Sequence, residues 1–444
     1  AAPTARGLNE PQQRAVDMAL SERRKLTLVQ GPPGTGKTTT AIEVMCSWLR
    51  ERRGPILATA FSNKGVDNLA QGLHARGVSV LRVGTCDPEL AYSMEAHLEY
   101  YGHGRKGAGK GAQGEVISRA DVVCATVVGS GMSLLRGNDF PFMVVDEAAQ
   151  IIEPAVLIPL AKGSAQVVMV GDQCQLPATV LSHEAQRAGL DVSLFDRLIS
   201  MGMEVHMLSV QYRMHPLIAE FPSWRFYGHR LETGVQPTER PPMPLQGLEL
   251  GTLAVVHVAG AEGSRGLSKC NEAEATCVEH LLRALKPRCP LGDVGVITPY
   301  SAQVATVRQA IRTLGREAEQ VQVSSVDAFQ GSEKEAILLS MVRSNLRGDI
   351  GFVADWRRLN VAATRARRLL VVVGNLVTLS QHALWRDFLG FHAGLRVLEW
   401  RGRGLAPLSP EPARLLAAAR EIAERRGVRP LPLRGDYPAD GDFA

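Results

Sequence analysis

The run Gly31-Pro-Pro-Gly-Thr-Gly-Lys-Thr38 constrains the fold of this chain more than any other stretch. An apolar, β-rich segment (25–30) enters it and a helical pattern (38–53) leaves it. A strand that turns through glycines directly into a helix is half of a βαβ unit, which requires a parallel sheet with helices packed on it. In that setting the spacing G-x-x-x-x-G-K-[ST] is a P-loop. Glycines at 34 and 36 let backbone N–H groups converge on phosphate oxygens. The helix that follows adds its positive N-terminal end. Gly34, Thr35, Gly36, Lys37, Thr38 and Thr39 are the expected cradle for a nucleoside triphosphate. Lys37 would reach the β- and γ-phosphates, and the Thr38 hydroxyl would ligate Mg2+.

The same rhythm runs through most of the 444 residues. In the first half, apolar runs at 25–30, 56–60, 121–126, 142–146 and 166–171 have no polar face, as parallel strands buried on both sides require. Helical patterns at 38–53 and 64–76 separate them. The second half repeats the theme with strands expected at 205–210, 254–258, 293–298, 321–326, 336–342 and 369–374, and helices at 271–286 and 302–314. Two successive α/β units imply two doubly wound parallel-sheet domains. The expected border lies near 201–204, giving domains at 1–203 and 204–400 and a C-terminal segment at 401–444 with one amphipathic helix (411–426) and a Pro- and Gly-rich tail, partly disordered or docked on the second domain. A small insertion at about 85–118 carries the Gly/Lys-rich GHGRKGAGKGAQG, expected to have a mobile tip that is either a solvated loop or a basic contact to a nucleic-acid backbone, and 236–248 is expected to be an extended surface connection.

A P-loop alone does not separate kinases, motors and switches. Phe142-Met-Val-Val-Asp146-Glu147 does more, because it ends a buried strand in two acids. Asp146 is placed to hold Mg2+ through water, and Glu147 to take a proton from an attacking water, which means hydrolysis of the γ-phosphate rather than transfer to a small acceptor. Gly171-Asp-Gln-Cys-Gln175 follows another apolar strand, so Gln175 could report the γ-phosphate.

GPPGTGKT, DEAAQ, GDQCQLPATV, QYRMHP, SVDAFQGSEKEAILLSMVRSN and LNVAATRAR occur in the order found in superfamily 1 helicases, and the chain resembles their up-frameshift and senataxin branch. The resemblance runs from Leu8 to Asn375 and implies two tandem RecA-like domains. It assigns Gln12, in a segment similar to the Q motif, to the adenine edge. Tyr212 would stack on the adenine, Arg213 and Arg365 would contact the γ-phosphate, and Glu333 would hold the ribose or metal-side network. In that family ATP bridges the two domains, and its hydrolysis drives the motor stroke. Without the resemblance, Arg365 reads as a surface residue of a helix over 359–368.

The resemblance also implies single-stranded RNA or DNA across both domains, held by Ser62, Asn63, Thr126, Thr298, Tyr300 and Ser325 on the phosphates. Such contacts ignore base identity. Each of these residues alone could equally be a cap or turn residue; Ser62 and Asn63 precede a helix. The β-barrel and stalk that the family carries before its Q motif are missing or lie upstream, and the zinc module of the up-frameshift branch has no counterpart in the sequence.

The net charge of +5 suits a nucleic-acid partner without demonstrating one. No run of 18 apolar residues exists, which excludes a transmembrane helix and leaves no membrane partner. Seven scattered Cys without C-x-x-C read as reduced core thiols of an intracellular protein. Residue 1 is Ala rather than Met, which reads as a trimmed start. A monomer is expected. The leading expectation is an ATP-dependent 5′→3′ helicase or translocase. A nucleic-acid-stimulated ATPase that strips bound proteins, and a clamp without turnover, stay open beside it.

Overall fold

The computed structural model describes residues 7–104, 109–243, 245, 250–392 and 394–426. It divides into two compact units, Ala1–Tyr212 and Arg213–Ala444.

The first unit is built on a seven-stranded sheet. Its strands are β1 (Leu26–Gln30), β2 (Ile56–Ala60), β3 (Val80–Arg82), β4 (Val122–Thr126), β5 (Phe142–Val145), β6 (Gln166–Gly171) and β7 (Val205–Met207). The spatial order is β3-β4-β2-β5-β6-β1-β7 and every pairing is parallel. Alternate residues feed two separate cores, one per face. Val29, Ile56, Ala58, Val144 and Val168 pack on one side; Leu28, Leu57, Met143, Val145 and Met169 pack on the other. Burial on both faces explains the unbroken apolar runs. All strands point the same way, so the loops after β1, β2, β4, β5 and β6 emerge along one rim, where such sheets bind ligands. The helices α1 (Glu10–Leu20), α2 (Lys37–Arg50) and α3 (Asn63–His74) enter from loops on that rim or beside it.

The second unit repeats the plan. Its strands are β8 (Leu253–His257), β9 (Val294–Thr298), β10 (Gln322–Ser325), β11 (Lys334–Ser340), β12 (Ala366–Gly374), β13 (Arg396–Trp400) and β14 (Leu405–Ala406). They lie in the order β10-β9-β11-β12-β8-β13-β14, all parallel except the last pair. Both units are RecA-like α/β domains.

Several expectations are corrected. The strand expected at the start of the second domain, β7, pairs with β1 in the first sheet, so the first unit extends to Tyr212 rather than 203. The segment after 400 is not a separate piece: β14 closes the second sheet. The helix Pro410–Arg425 lies against the helix Ala383–Phe391, close enough that a Cβ on Gly390 would sit 2.4 Å from the Ala419 carbonyl oxygen. The tail beyond 426 is outside the described residues. In the insertion, residues 105–108 are also outside them, but Lys110–Arg119 forms a helix instead of a loop. The Pro-rich stretch is not purely superficial, because Met243 and Leu245 are buried in the second core. The helix expected over 302–314 stops at Ala310 and continues as a 3-10 turn.

Candidate nucleotide and strand site

The P-loop is held open by glycine chemistry. Gly34 and Gly36 sit at φ 77° and 80°, a region that favours residues without a Cβ. At Gly36 the reason is also spatial: a Cβ would lie 2.6 Å from Nε2 of Gln12. At Gly31 a Cβ would lie 2.0 Å from Cγ of Lys37, whose ammonium reaches back to the Gly31 carbonyl. Thr35 is fully buried and donates from its hydroxyl to Pro32 O at 2.7 Å; Thr39 is exposed on the first turn of α2.

Gln12 is more occupied than adenine reading alone would need. Its Oε1 accepts from Asn9 N–H at 3.1 Å, closing a capping box at α1, and its Nε2 donates to Thr35 O at 3.0 Å. It therefore braces the P-loop from the Q-motif segment. Tyr212 belongs to the first unit. Its N–H donates to Gly34 O at 2.9 Å and its hydroxyl accepts from Asn9 at 3.0 Å, while the residue stays partly exposed beside the loop.

The hydroxyl of Thr38 donates to Oδ2 of Asp146 at 3.0 Å. β6 lies between β1 and β5, so these residues meet across an intervening strand. Burial raises the Asp146 carboxyl above its ordinary range, opposed by the Glu147 N–H, Lys37 and Thr38. Burial also raises Glu147, with the Asp146 carboxylate adding to it and the two Ser62 donors opposing. Glu147 sits at φ 56°, in the left-handed region, where the chain leaves β5 for a short 3-10 turn. Gln175 is buried rather than solvated in its loop, donating to Asp172 Oδ2 at 2.6 Å.

Mg2+ prefers hard oxygen donors, keeps several waters and takes few protein ligands. A Thr38 hydroxyl and an Asp146 carboxylate 3.0 Å apart beside a phosphate cradle fit that preference. Among the described residues no cluster of three or more His, Cys, Asp or Glu could hold a metal on its own.

In the second unit, Arg213, Glu333 and Arg365 come together. Arg213 is ion-paired through Nε to Oε2 of Glu333 and donates through Nη1 to Thr364 O at 3.2 Å. Arg367, which sequence reading passed over, bridges Glu333 at 3.0 Å and Glu335 at 3.1 Å. Burial works to raise the Glu333 carboxyl, but Arg213 and Arg367 outweigh it and hold it below the ordinary range. Arg365 is not a surface residue of a helix. The helix Trp356–Ala363 ends before it, and Arg365 lies buried in the turn into β12, donating to Val361 O at 3.0 Å and Ser332 O at 3.5 Å.

The six strand-contact candidates divide. In the first unit Ser62, Asn63 and Thr126 line one cavity of about 570 Å3 with exposed Phe61 and Met132. Ser62 caps α3 by accepting from Gly65 N–H at 3.0 Å, and Asn63 accepts from Arg82 at 3.0 Å. Thr126 accepts from Gly129 N–H at 3.0 Å. In the second unit Thr298 has 0% exposure, so its side chain faces the interior, not a strand. The Tyr300 ring is buried too, its hydroxyl 3.4 Å from Arg343 Nη1. Ser325 is half-buried and accepts from Ala328 N–H at 3.3 Å. Arg82 and Gly65 were missed. Arg82 is almost fully buried and ties Asp67, Asn63 and Thr85 together beneath the cavity.

Two AAA-domain family profiles match the chain, one over 7–103 and 101–183 and the other over 190–377. A regulator of nonsense transcripts 1 homolog from Drosophila melanogaster is 36% identical over 439 residues, covering 89% of this chain and 37% of the relative. The ATP-dependent helicase NAM7 of Saccharomyces cerevisiae is 38% identical over 432 residues, covering 87% of this chain and 44% of that protein. This chain belongs to the up-frameshift-like branch of superfamily 1 helicases. It spans less than half the length of those relatives. An Arabidopsis thaliana homolog of the same regulator is 37% identical over 425 residues, across 86% of this chain and 34% of its own length. Among the described residues no helix is long and apolar enough to cross a membrane.

Proposed function

We propose that this chain hydrolyses ATP and couples hydrolysis to movement along single-stranded RNA or DNA, as a helicase or translocase with 5′→3′ polarity. The reading rests on one observation: the Thr38 hydroxyl and the Asp146 carboxylate meet at 3.0 Å in the mouth of a P-loop, with Glu147 the next residue. The yeast relative, named as an ATP-dependent helicase, supports it.

The chemistry follows from the residues. Backbone N–H groups around Gly34 and Gly36 and the Lys37 ammonium bind the phosphates. Thr38 and Asp146 would hold Mg2+, whose charge neutralises phosphate oxygens as they develop negative character. Glu147 accepts the proton of the attacking water. Gln12 and Tyr212 bind the base, Gln175 senses the γ-phosphate, and Glu333 keeps Arg213 in place. Arg213 and Arg365 stabilise the charge of the transferring phosphoryl group. An arginine in that role contributes about 10³–10⁵ in rate, or about 4–7 kcal/mol. Ser62, Asn63 and Thr126, with the backbone near Thr298, Tyr300 and Ser325, grip strand phosphates without reading bases.

Phosphate release measured with and without matched single-stranded RNA and DNA tests this reading. Hydrolysis stimulated by strands, with strand affinity falling as salt rises, is expected. No hydrolysis under any condition would leave only a clamp. A strand-displacement assay beside a streptavidin-removal assay separates unwinding from protein stripping.

A further inference from the structure

Glu147 and the strand loop draw on one pair of donors. The backbone N–H and the hydroxyl of Ser62 both donate to Oε2 of Glu147, at 3.2 and 3.0 Å. The same hydroxyl accepts from Gly65 N–H at 3.0 Å, which fixes its single hydrogen toward the carboxylate. The carboxylate is seated closely, since a Cβ on Gly65 would lie 2.8 Å from Oε2. Ser62 also belongs to the wall of the 570 Å3 cavity with Asn63 and Thr126. A backbone N–H has one hydrogen. Directed at the carboxylate, it is not available to a strand phosphate; directed at a phosphate, it is lost to the carboxylate.

We propose that Ser62 is a positioning residue that holds Glu147 while the strand loop is empty and releases it when a phosphodiester of a single strand takes over the Ser62 donors. The inference rests on the reading of Glu147 as base and of this loop as strand-binding. Both lone pairs of Oε2 are engaged in the held state, which leaves only Oε1 to receive a proton from water and pins the carboxylate to the strand loop. A phosphate arriving at Ser62 brings negative charge beside a carboxylate, so repulsion favours the release. Strand stimulation then needs no long-range relay: the grip and the base are joined through one side chain.

The test compares kcat for ATP, with and without a poly-uridine or poly-thymidine strand, in wild type, Ser62→Ala and Ser62→Thr. Binding of a fluorescent ADP analogue serves as the check on the nucleotide pocket. Ser62→Ala removes the hydroxyl donor and weakens the hold. It should raise strand-free kcat roughly tenfold, the scale of one charged hydrogen bond, and shrink the stimulation ratio by the same factor. Affinity for the ADP analogue should not change, and Ser62→Thr, which keeps the hydroxyl, should restore the wild-type ratio. Equal losses of kcat with and without strand in Ser62→Ala overturn the proposal, as does an unchanged ratio. Wild type that hydrolyses nothing in either condition sinks the reading of Glu147 as base instead, so the two failures are distinct.

Discussion

The Cβ that Gly65 lacks would lie 2.8 Å from Oε2 of Glu147 and 3.0 Å from Cβ of Ala60. Gly65→Ala should therefore push the Glu147 carboxylate out of its seat. Alanine favours helix over glycine by about 0.8–1 kcal/mol, so α3 itself gains. We expect a fold of near-normal thermal midpoint with strand-free turnover raised in the direction of Ser62→Ala, because the seat against Ser62 and Gly65 is the held state of the carboxylate. Unchanged strand-free turnover in a folded Gly65→Ala would show that Glu147 is not seated against this helix.

Lys37→Ala removes the ammonium that faces the cradle, and Glu147→Gln removes the proton acceptor while keeping its shape. Both should abolish ATP turnover, but Glu147→Gln should still bind ATP. Steady-state hydrolysis near wild type in Glu147→Gln contradicts its assignment as base.

Arg365→Ala should lower kcat by about 10³-fold or more, with a far smaller change in affinity for a non-hydrolysable ATP analogue. Because Arg365 also donates to Val361 O and Ser332 O, Arg365→Lys is measured beside it, together with a melting curve for each. An unchanged kcat in a folded variant removes Arg365 from the chemistry.

Glu274 carries a pH dependence of stability. It lies at 0% exposure on the helix Glu272–Leu285, accepts from Ser340 and Val342 N–H, and has no hydrogen-bond partner on Oε1 among the described residues. Burial pushes its carboxyl up to about 8, above its ordinary 4.5. The folded state thus holds a proton that the unfolded chain gives up. The stabilisation is fully present below the ordinary value and is lost as pH rises through the folded one, at no more than about 1.4 kcal/mol per pH unit. Thermal midpoints should fall between pH 5 and 8, and Glu274→Gln should flatten that slope. Parallel slopes for the two proteins disprove the assignment.

Much of the fold was legible because its signals are redundant. Strands buried on both faces, such as β6 with its Val-Val-Met-Val run, can only be written with unbroken apolar residues. The strand β3 escaped notice because three residues make no period, and β13 because its residues are mostly half-buried. The border between units was misread for a related reason: β7 is three half-buried residues whose partner, β1, lies some 180 positions earlier, and no local pattern reports that.

What the first unit brings together was legible where chemistry dictates residue type, as with Thr38 and Asp146, whose motifs meet. It was less so where burial decides. Thr298 looks like any strand-end threonine, and only tertiary packing closes it off. Arg82 looks like a surface arginine, yet its guanidinium is a hub for Asp67 and Asn63. Gln12 makes a contact that its motif does not announce, because its amide fits the gap that Gly36 leaves.

On the proposed reading, the parallel first sheet places what grips a polymer and what burns fuel in separate loops on one border. Substitutions after β2 and β4 can retune grip, and substitutions after β1 and β5 can retune combustion, without disturbing the buried scaffold beneath. The exception, on the same reading, is Ser62, whose hydroxyl would serve both. Lineages that alter it would be changing idle speed and traction together.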